Sequence, residues 1–190
     1  MQLGFYFDQT RCIGCFTCVV ACKDCHDIPA GPASWMRVEC IEQGAYPDLL
    51  VAYMARPCYH CENPLCQTHC PTEAISKSGE TGILTVDKDS CLGLSECGIC
   101  KEVCPYGAPQ FGVEPDSRMQ KCDLCAGRWL QGEKPVCVEA CLMRALDAGS
   151  LEELKKKYGA VHDAAGFNYH AELGPAVIIK AKSVKVNALT

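Results

Sequence analysis

The chain has 190 residues, a formal net charge of −5 and 18 cysteines. An acidic balance excludes nucleic acid as the main partner, because phosphate binding needs clustered Lys and Arg, and the longest apolar runs, such as LLVAYMA at 49–55, are too short to cross a bilayer. So much cysteine leaves a disulfide scaffold or a metal protein, and the opening MQLGFYFDQT has no basic region, apolar stretch or cleavage site, so reduced, metal-binding thiols and a cytoplasmic location are expected.

In chain order, LGFYFD (3–8) alternates and reads as a strand. RCIGCFTCVVACKDCHD (11–27) then carries a first group, Cys12, Cys15, Cys18 and Cys22, spaced C-x2-C-x2-C-x3-C. The residues after Cys15 predict a short helix whose N-terminal amides face the thiolates. GPASW (31–35) and GAYPD (44–48) are turns or loops. A second group, Cys58, Cys61, Cys66 and Cys70, precedes Pro71, and AISKSGETGILTVD (74–87) predicts a hairpin around a glycine turn. The third group is Cys91, Cys97, Cys100 and Cys104, followed by Pro105; the fourth is Cys122, Cys125, Cys137 and Cys141. Short helices are expected after the second and third groups. SLEELKKKYG (150–159) predicts a helix with a Ser150–Glu153 capping box and a stop at Gly159. No low-complexity linker divides the chain.

A zinc site takes two C-x2-C pairs set apart by a longer loop. Three thiols two residues apart can each reach a separate iron of one cubane, while a fourth after x3 turns toward a neighbouring cluster. The spacing therefore points to iron-sulfur clusters. Four groups use sixteen thiols, which leaves Cys25 and Cys40, read as buried thiols that behave as small hydrophobes. His60 and His69 stand inside the second group, where an N–H could reach sulfur, against the commoner reading of packed or solvent-facing rings. Lys121, Arg128 and Arg144 flank the fourth group as counter-charges or as plain surface, and the lysines at 155–157 read as the polar face of their helix. No nucleophile elbow, phosphate-cradling loop or H-E-x-x-H is present. Irons saturated by thiolate leave no open position for substrate, so the chain reads as non-catalytic, a carrier of electrons. Spacing leaves the pairing of groups open between first with fourth and second with third, or sequential pairs.

FYFDQTRCIGCFTCVVACKD, CYHCENPLCQTHCPTEAI, CPYGAPQ and KCDLCAGRWLQGEKPVCVEACLMRAL together resemble the four-cluster electron-transfer subunit of the dimethyl sulfoxide reductase family, and are similar to polysulfide and thiosulfate reductase small subunits. The resemblance implies the nested pairing. Cys12, Cys15, Cys18 and Cys141 would hold one [4Fe-4S] cluster; Cys22, Cys122, Cys125 and Cys137 a second; Cys58, Cys61, Cys66 and Cys104 a third; Cys70, Cys91, Cys97 and Cys100 a fourth. The fold expected is α+β, two interlocked ferredoxin-like modules with short strands, short helices and long loops. Residues 1–57 with 115–150 would form the first module, 58–114 the second, and 151–190 a cysteine-free extension. The resemblance also implies a large partner with a molybdenum or tungsten bis-pterin cofactor, in some relatives a membrane quinone-reacting subunit as well, and export only alongside a signal-bearing partner. Insertions such as 23–57 suggest docking surface. Two departures stand out. CLGLSEC places Leu94 where a cysteine is usual, and Cys91 is kept as a ligand because a loop bulges more easily than a cubane loses an iron; Leu142 stands where proline is common. A free multi-cluster ferredoxin and a zinc scaffold are the competing readings.

Overall fold

The computed structural model describes residues 1–183 and has the expected α+β character, built from small pieces. In chain order these are β1 (Leu3–Asp8), α1 (Thr17–Cys25), β2 (Arg37–Gln43), β3 (Leu50–Arg56), α2 (Leu65–Thr68), β4 (Ile75–Lys77), β5 (Leu84–Val86), α3 (Ile99–Val103), α4 (Ala126–Trp129), α5 (Val136–Glu139), β6 (Leu146–Ser150), α6 (Leu151–Tyr158) and β7 (Val177–Lys180). The last residues of the expected extension, 184–190, lie outside the described residues.

β1 is the middle strand of the largest sheet. It pairs antiparallel with β6, Phe5 opposite Ala148, and parallel with β7, Phe5 opposite Val177. Its alternating sequence predicts one buried and one open face, yet all six residues are buried. Leu3, Phe5 and Phe7 enter the main core, while Tyr6 packs with Leu154 and Ile178 beneath α6. The helix covers the face that alternation would leave wet, and Tyr6 stacks on Tyr158 at 3.5 Å between ring centroids. Gly4 is required here: a Cβ at this position would lie 2.4 Å from the Ala176 carbonyl oxygen.

α6 stops at Gly159 as expected, with a left-handed φ of 84°. The capping box does not form: Ser150 is the residue before the helix but its side chain makes no cap hydrogen bond. Ser150 closes β6 opposite Leu3, so strand runs directly into helix and the serine is held by the sheet. Nor is Lys157 only solvated, since it reaches Asp147 Oδ2 at 3.0 Å. Burial would raise the Asp147 carboxyl, but hydrogen bonds from Lys134, Tyr158 and Lys157 hold it well below the ordinary carboxylate range.

The hairpin over 74–87 is present as β4 and β5. A second hairpin, β2 with β3, pairs Arg37 with Arg56 and Gln43 with Leu50. Sequence reading treats LLVAYMA only as an apolar run, because its partner RVECIEQ is polar and largely exposed. α2 and α3 lie within the second and third cysteine groups and not after them: α2 carries Cys66 and ends before Cys70, and α3 carries Cys100 and ends at Cys104.

Replacing Gly4 with Ala is expected to cost roughly 1–3 kcal/mol through the forced separation of β1 from Ala176, read as a fall of several degrees in the thermal unfolding midpoint; an unchanged midpoint would show that the sheet yields at no cost.

Candidate metal centres

All eighteen cysteines are free thiols, and sixteen of them gather in four places. Cys12, Cys15, Cys18 and Cys141 line one hollow with Ile13 and Phe16. Cys70, Cys91, Cys97 and Cys100 line another with Ile99 and Met119. Both hollows are lined largely by apolar side chains besides the thiols. The other two sets are interior. Burial first, then the nearness of Cys122, Cys125 and Cys22, pushes the Cys137 thiol well above its ordinary value. Burial, followed by Cys58, Cys104 and Cys66, pushes Cys61 up to about 12.

The sets lie in a row. Cys137 also feels Cys18 of the first set, Cys122 feels Cys58 of the third, and Cys66 feels Cys100 of the fourth. The x3 spacing explains this contact. Cys18 and Cys22 lie on α1 at positions i and i+4, which share a helix face one turn, about 5.4 Å, apart. One helical turn therefore presents its two thiols to adjacent sets.

Left-handed residues bend the intervening loops. Gly14, Phe16, His60, Gly93, Leu124 and Cys125 all have positive φ, at about 1–2 kcal/mol for each non-glycine residue. The turns aim backbone N–H groups at sulfur: Leu124 N–H donates to Cys122 Sγ at 3.4 Å, Met119 N–H to Cys91 Sγ at 3.5 Å and Ala145 N–H to Cys141 Sγ at 3.3 Å. In CLGLSEC the added residues form a turn at 94–96, with Leu94 N–H donating to the Ser117 carbonyl at 3.0 Å. Cys91 thus stays on the hollow while Leu94 packs beside it.

His60 and His69 follow the commoner reading of packed or solvent-facing rings, while other neighbours differ from the sequence reading. His60 is fully buried and its Nδ1 accepts the Leu84 N–H at 3.0 Å; His69 Nδ1 lies 3.0 Å from the Leu65 carbonyl. Neither meets a cysteine sulfur among the described residues. The ring that does is His26, whose Nε2 lies 3.2 Å from Cys125 Sγ. A histidine outside every cysteine group gave no signal, because the chain's folding brings it to residue 125. Lys121 is buried and not solvated surface. Arg128 is held by Glu133 and Glu139, and Arg144 is exposed. Cys25 and Cys40 are exposed, contrary to the expected burial; α1 ends at Cys25 and β2 carries Cys40 on a polar strand.

Sets of soft sulfur donors, clustered and ringed by N–H groups, are the donors an iron-sulfur cluster takes. Two buried nitrogens, Arg37 Nε and His60 Nε2, have no hydrogen-bond partner. The residues fit the group. A family profile described as a 4Fe-4S dicluster domain matches residues 49–151. The chain is 39% identical over 187 residues, 94% of its own length and 88% of the relative's, to the B subunit of the anaerobic dimethyl sulfoxide reductase of Escherichia coli (strain K12). It belongs to the iron-sulfur subunits of the dimethyl sulfoxide reductase family. The subunit is likewise 39% identical over 167 residues to the corresponding B subunit of Haemophilus influenzae, covering 83% of this chain and 78% of that one. Identity to Protein NrfC of Escherichia coli (strain K12) is 34% over 154 residues, 80% and 67% of the two chains. As a member of this family the subunit transfers electrons and is not itself catalytic.

Cys91→Ala is expected to remove or convert one cluster while Cys25→Ser leaves the iron content whole, both read by iron and sulfide analysis and electron paramagnetic resonance; a Cys91→Ala protein with unaltered iron and spectrum would take this thiol out of the ligand set.

Proposed function

We propose that the chain holds four [4Fe-4S] clusters, one in each thiol set, and relays single electrons to or from a large subunit carrying a molybdenum or tungsten bis-pterin cofactor. The observation that carries this reading is the row of sets, linked by Cys18 with Cys137, Cys122 with Cys58, and Cys66 with Cys100. Each cluster, once bound, supplies a one-electron change with little change of shape. The protein's own part is to fix the order of the sites, exclude water from the inner two and aim N–H groups at sulfur. On this reading residues 1–57 with 115–150 and residues 58–114 form the two cluster modules, and the residues after 150 close the first through β7.

The two ends of the row are where partners would dock. Around the Cys12 set stand Ile13, Phe16, Val20, Leu142 and Met143, all exposed, Val20 at 66% and Leu142 at 75%. Large apolar side chains grouped in this way on a surface mark an interaction site. This end is assigned to the pterin-bearing subunit. Leu92 and Ile99, exposed beside the Cys91 set, form a smaller apolar edge at the far end, suited to the other electron partner, a membrane quinone-reacting subunit where one exists. No helix among the described residues is long and apolar enough to cross a membrane. We assign the chain to the cytoplasmic side unless a signal-bearing partner carries it across folded. The apolar collar favours the subunit over a freely diffusing ferredoxin.

Anaerobically purified protein is expected to be brown, with iron and acid-labile sulfide near four cubanes per chain and negligible zinc; a colourless protein with stoichiometric zinc would overturn the cluster reading. Val20→Glu with Leu142→Glu is expected to release the chain from its large partner on size-exclusion chromatography with iron content unchanged. Retention of the full complex by that variant would move the docking face elsewhere.

A further inference from the structure

The two inner thiol sets sit in different electrostatic surroundings. Around Cys58, Cys61, Cys66 and Cys104 there are three cations that donate only to backbone carbonyls. Lys121, 3% exposed, donates to the carbonyl oxygens of Leu84 and Cys122, the latter at 3.1 Å, and its charge acts on Cys66. Lys77 donates to the carbonyls of Cys61 at 2.9 Å and Glu62 at 3.0 Å. Arg37 reaches the carbonyls of Tyr106, at 2.9 Å, and Gly107, just beyond Cys104. Among the described residues none of the three has a carboxylate within ion-pair distance, and Glu39, the acid next to Arg37 along β2, is taken by Arg56 at 2.6 Å. The two orphaned buried nitrogens, Arg37 Nε and His60 Nε2, belong to this same neighbourhood.

The set of Cys22, Cys122, Cys125 and Cys137 is placed differently. Asp123 stands between two of its cysteines and caps Cys125 N–H at 2.8 Å, and its charge bears on Cys22, Cys122 and Cys125. The nearby cation, Arg128, acts on Cys125 but is shared with Glu133 and Glu139, and the His26 ring stands 3.2 Å from Cys125 Sγ. A buried cation without a counter-ion is costly, and an anionic neighbour would relieve that cost. By the same attraction the cation favours a neighbouring site that gains an electron, and potentials of clusters follow local charge and burial.

We propose that Lys121, Lys77 and Arg37 are the counter-charges of the cluster held by Cys58, Cys61, Cys66 and Cys104, and that they make it the more easily reduced of the two inner clusters, the place where an electron rests within the relay. This rests on the four-cluster reading above. The transfer is of one electron, with no bond made and no proton moved, leaving one inner site oxidised by one as the other is reduced by one. Lys121, Lys77 and Arg37 are positioning residues that act through charge. Arg118 also donates to a cysteine carbonyl, that of Cys91, but it is exposed and solvent screens it.

The test is a redox titration of the anaerobically purified complex followed by electron paramagnetic resonance, with the signal of the third set identified as the one that Cys61→Ser alters. Lys121→Met is expected to move that midpoint to more negative potential and move it further than any other, while Lys121→Arg leaves it close to the wild type. Lys77→Gln, at a half-buried position that tolerates change, is expected to move the same signal in the same direction by less, and decides the matter if Lys121→Met fails to accumulate. A third-set midpoint that holds in Lys77→Gln and in any folded Lys121→Met, or a shift confined to another signal, overturns the proposal with the four clusters intact. Absence of cluster signals in the wild type would instead overturn the relay reading itself.

Discussion

Sulfur crowding is the constraint on which this structure turns. Sixteen thiols packed into four sets cannot all ionise beside one another in a poor dielectric, and burial with mutual repulsion lifts Cys18, Cys22 and Cys66 to about 12. A positive core of the kind proposed for each set would hold its thiolates. The left-handed turns at Leu124 and Cys125 and the N–H groups aimed at Cys122, Cys91 and Cys141 suit such a core. Cys22, Cys58, Cys122 and Cys137 are themselves members of the main core, so the hydrophobic interior and the proposed metal sites are one object. A chain with so little regular secondary structure has few other means of holding its loops.

The helix turns give the spacing its meaning. On α1 the C-x3-C pair presents Cys18 and Cys22 along a single face toward different sets, while α2, α3 and α5 each carry the first thiol of such a pair and end before the second. Between the first two sets, spacing is thereby set by helical backbone geometry. The variable spacers elsewhere, such as the turn at 94–96, change the surface and leave that distance alone.

The cysteine groups, β1, β4, β5 and α6 could be read from the sequence because each rests on a local rule: ligand spacing, apolar runs around a glycine turn, helical periodicity. What escaped depends on partners far along the chain. His26 meets Cys125, Lys121 is buried against β5 through the Leu84 carbonyl, and polar RVECIEQ becomes a strand only because LLVAYMA lies beside it. The Ser150 capping box misled for a similar reason, since Leu3 fixes that serine by pairing with it. β1 showed the same limit from the other side: alternation predicted an open face, and the distant α6 covers it.

Cys12 and Cys141 line the same hollow, and this has a bearing on how the molecule is made. Cys12 waits for a partner 129 residues further along the chain, whereas residues 58–104 carry Cys58, Cys61, Cys66, Cys70, Cys91, Cys97, Cys100 and Cys104, the members of two sets, within a short span. Closing the shorter loops costs less conformational entropy, so the middle of the polypeptide can mature while the outer sets stay open. On the proposed filling, one half of the row is complete within residues 58–104, whereas the other half joins residues far apart in the chain.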